Sequence, residues 1–222
     1  MSVLMPHAKP VSDVASPEPR APRAARLAKQ EQILHAAERL FGRYGLEGVA
    51  IEAIASELGL SKQNLLYYYP SKEQLYLAVL DDVMDSWLAG MARIAQHDDP
   101  ATAISEYVAA KLRFSHERPS GSAVFTREVM AGAPLYASRL AEQVQPQLQA
   151  DLRQFERWAQ AGLIRRVDFT HLMFLIWACT QAYADLAPQF ALLLGKPALE
   201  PRDYATAQQL ITDMVLGQLK PV

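Results

Sequence analysis

Ser61-Lys62-Gln63-Asn64 sets a hydroxyl, an ammonium and two carboxamides side by side, with Leu65-Leu66-Tyr67-Tyr68 behind them. Such a run suits the edges of base pairs in duplex DNA. Lys reaches guanine acceptors, Gln or Asn pairs bidentately with adenine, and each good pair is worth ~1–3 kcal/mol of discrimination. That chemistry needs Lys62, Gln63 and Asn64 in the exposed first turn of a helix capped by Ser61. Tyr67, Tyr68 and Lys72 are spaced to hold backbone phosphates, beside the amide-rich start of a helix at Ser71. The plain alternative is an αα-turn packed within a bundle, its polar residues merely solvated.

A second constellation lies far down the chain. Trp177, Gln181 and Asp185 stand at i, i+4 and i+8, on one side of one helix. The indole offers a flat apolar wall, and the amide offers one acceptor and two donors. Phe125, Arg127 and Glu128, ahead of Gly132, join them as candidates for a ligand site. An inward Arg127 would favour a carboxylate or carbonyl-rich ligand; an outward one, or one paired with Glu128, says nothing of the ligand. The plain alternative is Trp177 in the core with Gln181 a satisfied buried amide.

Catalytic and metal motifs are weak by comparison. The histidines, His7, His35, His97, His116 and His171, form no His-Glu-x-x-His or Glu-x-x-His pattern. Asp168-Phe169-Thr170-His171 reads as a helix start rather than a metal pair. Cys179 sits in an apolar run without a neighbouring base and is expected to be a buried, inert thiol. No glycine-rich phosphate loop is present. No catalytic residue, metal or cofactor is therefore expected.

Three short helices must position the first constellation. Ile33, Leu34, Ala37, Leu40, Phe41 and Tyr44 recur at helical spacing from about Arg23 to Gly45. Ile51, Ile54, Ala55 and Leu58 make a one-faced two-turn helix ending at Gly59. Gly59-Leu60-Ser61 gives the spacing of a helix-turn-helix. Pro70 closes the third helix, and Ser71-Lys72-Glu73-Gln74 is predicted as a capping box with Gln74 reaching back. From Ser71 a long helix is predicted to about Gln96, with Leu75, Val79, Val83, Trp87 and Met91 on one stripe, Trp87 counting among the ligand candidates. Further helices are predicted at 101–117, 121–131, 135–161, 168–187 and 202–218. No credible strand is found. The expected fold is all-α: a leader over 1–22 without structure, a helix-turn-helix domain over 23–70, and a helical ligand-binding and dimerisation domain over 71–222.

With 222 residues, half of them apolar and 21% charged, the chain can bury a real core. The net charge of −2 is unevenly spread: Arg20–Lys72 holds eight basic against five acidic residues, and the remainder sums to −5. A mildly basic front on an acidic body is compatible with one end binding nucleic acid. The apolar stretch Phe169–Leu194 is interrupted by His171, Gln181, Asp185, Pro188 and Gln189, so no membrane partner is expected. With a single cysteine and no secretory signal at the start, a cytoplasmic location is expected.

Gly45, Ile54-Ala55, Gly59, Ser61-Lys62 and above all Leu65-Leu66-Tyr67-Tyr68-Tyr69-Pro70-Ser71-Lys72-Glu73-Gln74-Leu75 resemble the DNA-binding signature of TetR-family transcriptional regulators. Three positions depart from it. Leu66 stands where many members have Tyr, Tyr69 replaces the common Phe, and Val49 stands near the usual Thr, so a cap ahead of the second helix is missing. Ala131-Gly132-Ala133-Pro134 and Trp177–Asp185 are similar to a narrower group that governs pyrimidine utilisation. The resemblance implies a homodimeric, repressor-like switch on double-stranded operator DNA whose body takes a small effector, uracil or thymine in that group. Trp177 with Gln181 is a sensible site for a pyrimidine imide, since an amide complements its alternating C=O and N–H groups. Arg127 stands where that group looks apolar.

Two front units must face major grooves ~34–36 Å apart or a multiple of it, and a ligand on the distal half of the helix from Ser71 would tilt it. Leu172, Met173, Leu175, Ile176, Leu186 and Phe190 are too many apolar groups for a surface helix and are expected at a four-helix dimer interface, a fully internal helix being the alternative. The rival reading of the whole is an all-α ligand-binding module or enzyme with no DNA role.

Overall fold

The computed structural model describes residues 20–221, in which every regular element is helical. The expected leader lies outside the described residues except at its end, where α1 already runs from Arg20 to Tyr44. It turns at Gly45, whose φ of +74° is a conformation glycine adopts without a Cβ clash. Next come α2 (Ile51–Glu57) and α3 (Lys62–Tyr68). No side chain caps α2 at Ala50, as the Val49 departure predicts. Gly59, at φ +64°, makes the turn between the two.

Ser71 caps α4 (Lys72–Ala92) by accepting from the Gln74 amide at 3.1 Å. Only half of the expected capping box forms: among the described residues the Gln74 side chain makes no return bond to Ser71. Leu75, Val79, Val83, Trp87 and Met91 are all buried, as their stripe requires. The helix stops short of Gln96, passing into a tight 3₁₀ turn over Ile94–Gln96. Beyond it lie α5 (Pro100–Glu117), α6 (Pro119–Met130), α7 (Ala137–Arg139), α8 (Gln145–Gln160), α9 (Phe169–Asp185), α10 (Ala187–Leu193) and α11 (Pro201–Leu219).

Two breaks depart from the predicted pattern. The expected single helix over 135–161 is divided by a π-helical segment, Leu140–Val144. Pro146, in the first turn of α8, has no N–H to donate backward and its ring crowds the carbonyl four residues earlier, so the chain widens there. Pro188 likewise separates α9 from α10, a short helix that the sequence pattern missed.

One apolar core runs from Ile33 and Phe41 of α1 through Ile54 and Leu65 to Val83 and Trp87 of α4, Phe114 of α5 and Val124 of α6. A second, built on Tyr107, Leu112, Phe155, Trp158, Met173 and Ile211, fills the far end. The first core does not stop at Pro70. It reaches from the short front helices into the larger bundle.

The joint between α1 and α6 is unusually close. A Cβ on Gly42 would stand 2.7 Å from the Ser120 carbonyl oxygen, and one on Gly121 would stand 3.0 Å from Val83. Only glycine at position 42 lets the α1 and α6 backbones approach so far, while Gly121 makes room for the Val83 side chain of α4. Beside them the Arg118 guanidinium bridges buried Glu38 of α1 and Asp82 of α4, the latter at 2.6 Å.

Candidate nucleic-acid interface and effector site

At the front, α3 presents its first turn outward. Ser61 accepts from the Asn64 amide at 3.1 Å, fixing the start of the helix. Leu65 is fully buried and anchors the helix, while Ser61, Lys62, Gln63 and Asn64 are exposed. The Gln63 and Asn64 side chains make no hydrogen bond among the described residues. Lys62 pairs with Glu52 of α2 at 2.7 Å, both well exposed, a bond easily traded for another acceptor. Its ammonium holds the Glu52 carboxyl below the usual range.

Tyr67 is 66% exposed and stacks edge-on with half-buried Tyr68. Arg26 of α1 lies over the Tyr67 ring at 5.6 Å, adding a cation to this face that sequence reasoning did not single out. Lys72 is placed otherwise than expected. Its ammonium donates to the Leu46 carbonyl at 2.9 Å, tying the start of α4 to the turn after α1.

In the body, α6 and α9 meet in a polar cluster. Ser122 and Thr126 donate to the two carboxylate oxygens of Asp185, each at 2.7 Å. Gln181 donates to the Thr126 hydroxyl at 2.8 Å and lies 3.2 Å from Asp185 Oδ2. Gln181 and Asp185 are thus brought together as their spacing predicts, with two hydroxyls the sequence reading did not name. Trp177 is not their wall. Its indole donates to the Tyr107 hydroxyl at 2.7 Å and packs with the far core.

The flat wall on this level is Trp87, packed edge-on against Phe125 at 4.6 Å and Phe114 at 5.3 Å. Over its face, 4.0 Å from the ring centroid, sits the ammonium of Lys111, a residue only 6% exposed. Burial pushes this amine down to about 7, against a partial restoring pull from Asp185. Sequence reasoning missed Lys111, yet the signal was present: Tyr107, Val108, Lys111, Leu112 and Ser115 are spaced for one inward face of α5.

Arg127 points away from the cluster and does not pair with Glu128. Its guanidinium reaches the Gly42 and Arg43 carbonyls at the end of α1, at 3.3 and 3.4 Å. There it complements the negative end of that helix. Glu128 is buried instead, accepting from the Tyr76 phenol at 3.2 Å and the Leu135 amide at 2.7 Å. A cleft of ≈970 Å³ opens between α1, α4 and α6, and both Thr126 and Asp185 line it. The cluster is therefore reachable from the joint between the front helices and the body.

On the outer side of α9 three expectations need correction. Leu172, Met173 and Ile176 are buried within their own subunit, and Phe190 is half-buried against Tyr183, 5.3 Å away. The exposed apolar groups are Phe174, Leu175 and Leu186, with Leu210 and Met214 of α11. Cys179 is exposed on this face rather than buried, lining a shallow apolar groove with Leu175 and Met214. Asp168 caps α9 by accepting from the His171 amide at 3.0 Å, which accounts for that pair without a metal. Among the described residues, no helix is long and apolar enough to cross a membrane.

A helix-turn-helix offered at one end of a helical bundle defines a DNA-binding regulator. The family described as bacterial regulatory proteins, tetR family, matches residues 33–79, and that described as YcdC-like protein, C-terminal region, matches 80–222. The chain belongs to the TetR family of transcriptional regulators. Over 194 residues it is 41% identical to the HTH-type transcriptional regulator RutR of Escherichia coli K12, covering 87% of this chain and 92% of that one. Among solved structures, its fold is shared with AibR in complex with isovaleryl coenzyme A and operator DNA (TM-score 0.66, 20% identity, 87% and 100% of the two chains). It is shared too with a regulator from Saccharomonospora viridis in complex with choline (TM-score 0.64, 21% identity, 87% and 98%).

Proposed function

We propose that this regulator is a homodimeric, cytoplasmic repressor that releases or re-targets its operator when a small planar carbonyl compound, uracil or thymine being the nearest chemistry, occupies the body. Gln63 and Asn64 read base edges; Ser61 and Lys62 set and flank that turn; Tyr67, Tyr68 and Arg26 face the phosphates. Lys72 supports them by holding the front turn on α4. The effector lies among Trp87, Phe125, Ser122, Thr126, Gln181 and Asp185. Trp177 acts behind them through Tyr107, and Arg127 acts on α1 rather than on the ligand.

The observation that carries this reading is that α6 serves both sites. It supplies Ser122 and Thr126 to the polar cluster, and it clamps α1 through the Gly42–Ser120 approach and the Arg127 contacts. A ligand that shifts α6 must shift α1, and with it the separation of the two recognition helices. Effector and operator then oppose one another only by the ligand's differential affinity for the two states, typically ~1–3 kcal/mol of coupling. The dimer uses the exposed apolar side of α9 and α11 around Leu175 and Met214. Uracil or thymine is suggested by the resemblance to regulators of pyrimidine utilisation, and the amide of Gln181 supports it.

The test is a titration of fragments from the protein's own promoter region, with and without uracil, over a range of salt. Affinity that falls steeply with salt and by tenfold or more with uracil supports the proposal. Salt-dependent binding indifferent to uracil, thymine and related carbonyl compounds removes the switch and leaves the DNA reader. No binding in any effector state removes both.

A further inference from the structure

The effector site proposed above has its hydrogen-bonding groups unevenly spent. Asp185, the carboxylate on this level, is already taken by Ser122, Thr126 and Gln181. Two donors nearby are not taken. The Trp87 indole N–H is buried without a partner. Lys111, packed on the face of that same indole, enters no hydrogen bond or ion pair among the described residues. Two donors are thus unspent beside a carboxylate that already accepts three hydrogen bonds from its own neighbours. Leaving buried donors unmade is costly, so such a site is completed by a ligand that brings acceptors.

Charge decides which kind. The Lys111 ammonium has Asp185 within range but not in contact, and the face of Trp87, itself packed edge-on with Phe114 and Phe125. A cation–π contact is a partial substitute for hydration, weaker than a charge-assisted hydrogen bond to an anion. A neutral ring would satisfy the geometry of the wall and leave the charge unanswered. Resting on the effector-site reading, we infer that Lys111 and the Trp87 N–H form an acceptor-reading pair that makes this site selective for a planar ring bearing an ionised oxygen, a deprotonated imide or a ring carboxylate, over the neutral ring of the same size. Lys111 takes the part that Arg127 does not.

The experiment compares two rings of one shape and opposite charge state: barbiturate, an anion at neutral pH, and uracil, neutral there. Each is titrated calorimetrically into the full-length protein at pH 7, into the wild type and into Lys111→Met, whose fold is checked by its helical circular dichroism. The expected result is a wild-type preference for barbiturate of tenfold or more, falling to within about threefold in the variant. A wild type that binds uracil as well as barbiturate or better overturns the inference and leaves the effector site standing. So does a preference that survives unchanged in a folded Lys111→Met. If neither ring binds the wild type at millimolar concentration, the planar-ring reading of the site fails, and this inference with it. The wild-type comparison alone decides the matter should the variant not fold.

Discussion

Replacing Lys111 by Met should make the protein more stable, and by an amount that depends on pH in a set direction. The substitution keeps the length of the side chain and its contact with the Trp87 ring while removing the amine. In the folded protein the amine titrates at about 7, against 10.5 for an ordinary lysine. The unfolded chain therefore holds more protons than the folded one between those values, and stability rises with pH across that window. Below about pH 7 both states are protonated and the penalty is constant. A lysine shifted this far destabilises the fold by about 4 kcal/mol at pH 7 and about 2 kcal/mol at pH 9, at ~1.36 kcal/mol per pH unit. Lost cation–π attraction offsets part of the gain, by roughly 1–2 kcal/mol for a desolvated pair. Urea denaturation of both proteins at pH 7 and pH 9 gives four free energies. The advantage of Lys111→Met should shrink by about 2 kcal/mol from the lower pH to the higher. An advantage that is the same at both values would refute the argument, because it would mean that the amine is charged, or neutral, alike in both states.

At the front end, Gln63→Ala or Asn64→Ala should cost ~1–3 kcal/mol of binding to the preferred operator and little to a scrambled one, measured by fluorescence anisotropy on both. Lys72→Met loses the bond to the Leu46 carbonyl, so a drop in unfolding free energy of roughly 1.5–3 kcal/mol is expected, with operator affinity weakened for all sequences alike. A sequence-selective loss would contradict that role. Gln181→Ala should abolish the response to uracil in the anisotropy titration while leaving effector-free operator affinity within about twofold; a fully responsive variant removes Gln181 from the site. Leu175→Asp, on the exposed side of α9, should move the molecule toward monomer in light scattering, and an unchanged mass would place the dimer surface elsewhere.

Much of the fold was legible because it rests on local rules. The caps at Ser61 and Ser71, the turns at Gly45 and Gly59, and the bare start of α2 behind Val49 are set by side chains within three or four residues of one another. The π-helical segment and the separate α10 were missed, since proline marks a break but does not fix the conformation taken up beyond it. In the effector site, Gln181 and Asp185 share one helix and were found together by spacing. Lys111 came from another helix, and a polar residue on an inward face is easily passed over when the apolar ones are being counted. Arg127 and Trp177 show the converse. Their residue types suited a ligand, but their partners, the end of α1 and the Tyr107 hydroxyl, lie 84 and 70 positions away in sequence. Cys179 was expected inside because its neighbours are apolar, yet that side of α9 faces outward.

The fit of Gly42 beneath Ser120 bears on how such regulators can be recombined. A chimera that joins this reader to a foreign sensor at Pro70 would sever nothing in the chain and would still break a closely fitted joint, because α1 is matched to α6 by shape and not by connectivity. Any donor body whose sixth helix begins with a bulkier backbone approach, or whose partner lacks a glycine there, would hold the front helices a fraction of an ångström off. Successful hybrids should therefore inherit their first helix from the same parent as their sensor, and exchange only α2 and α3.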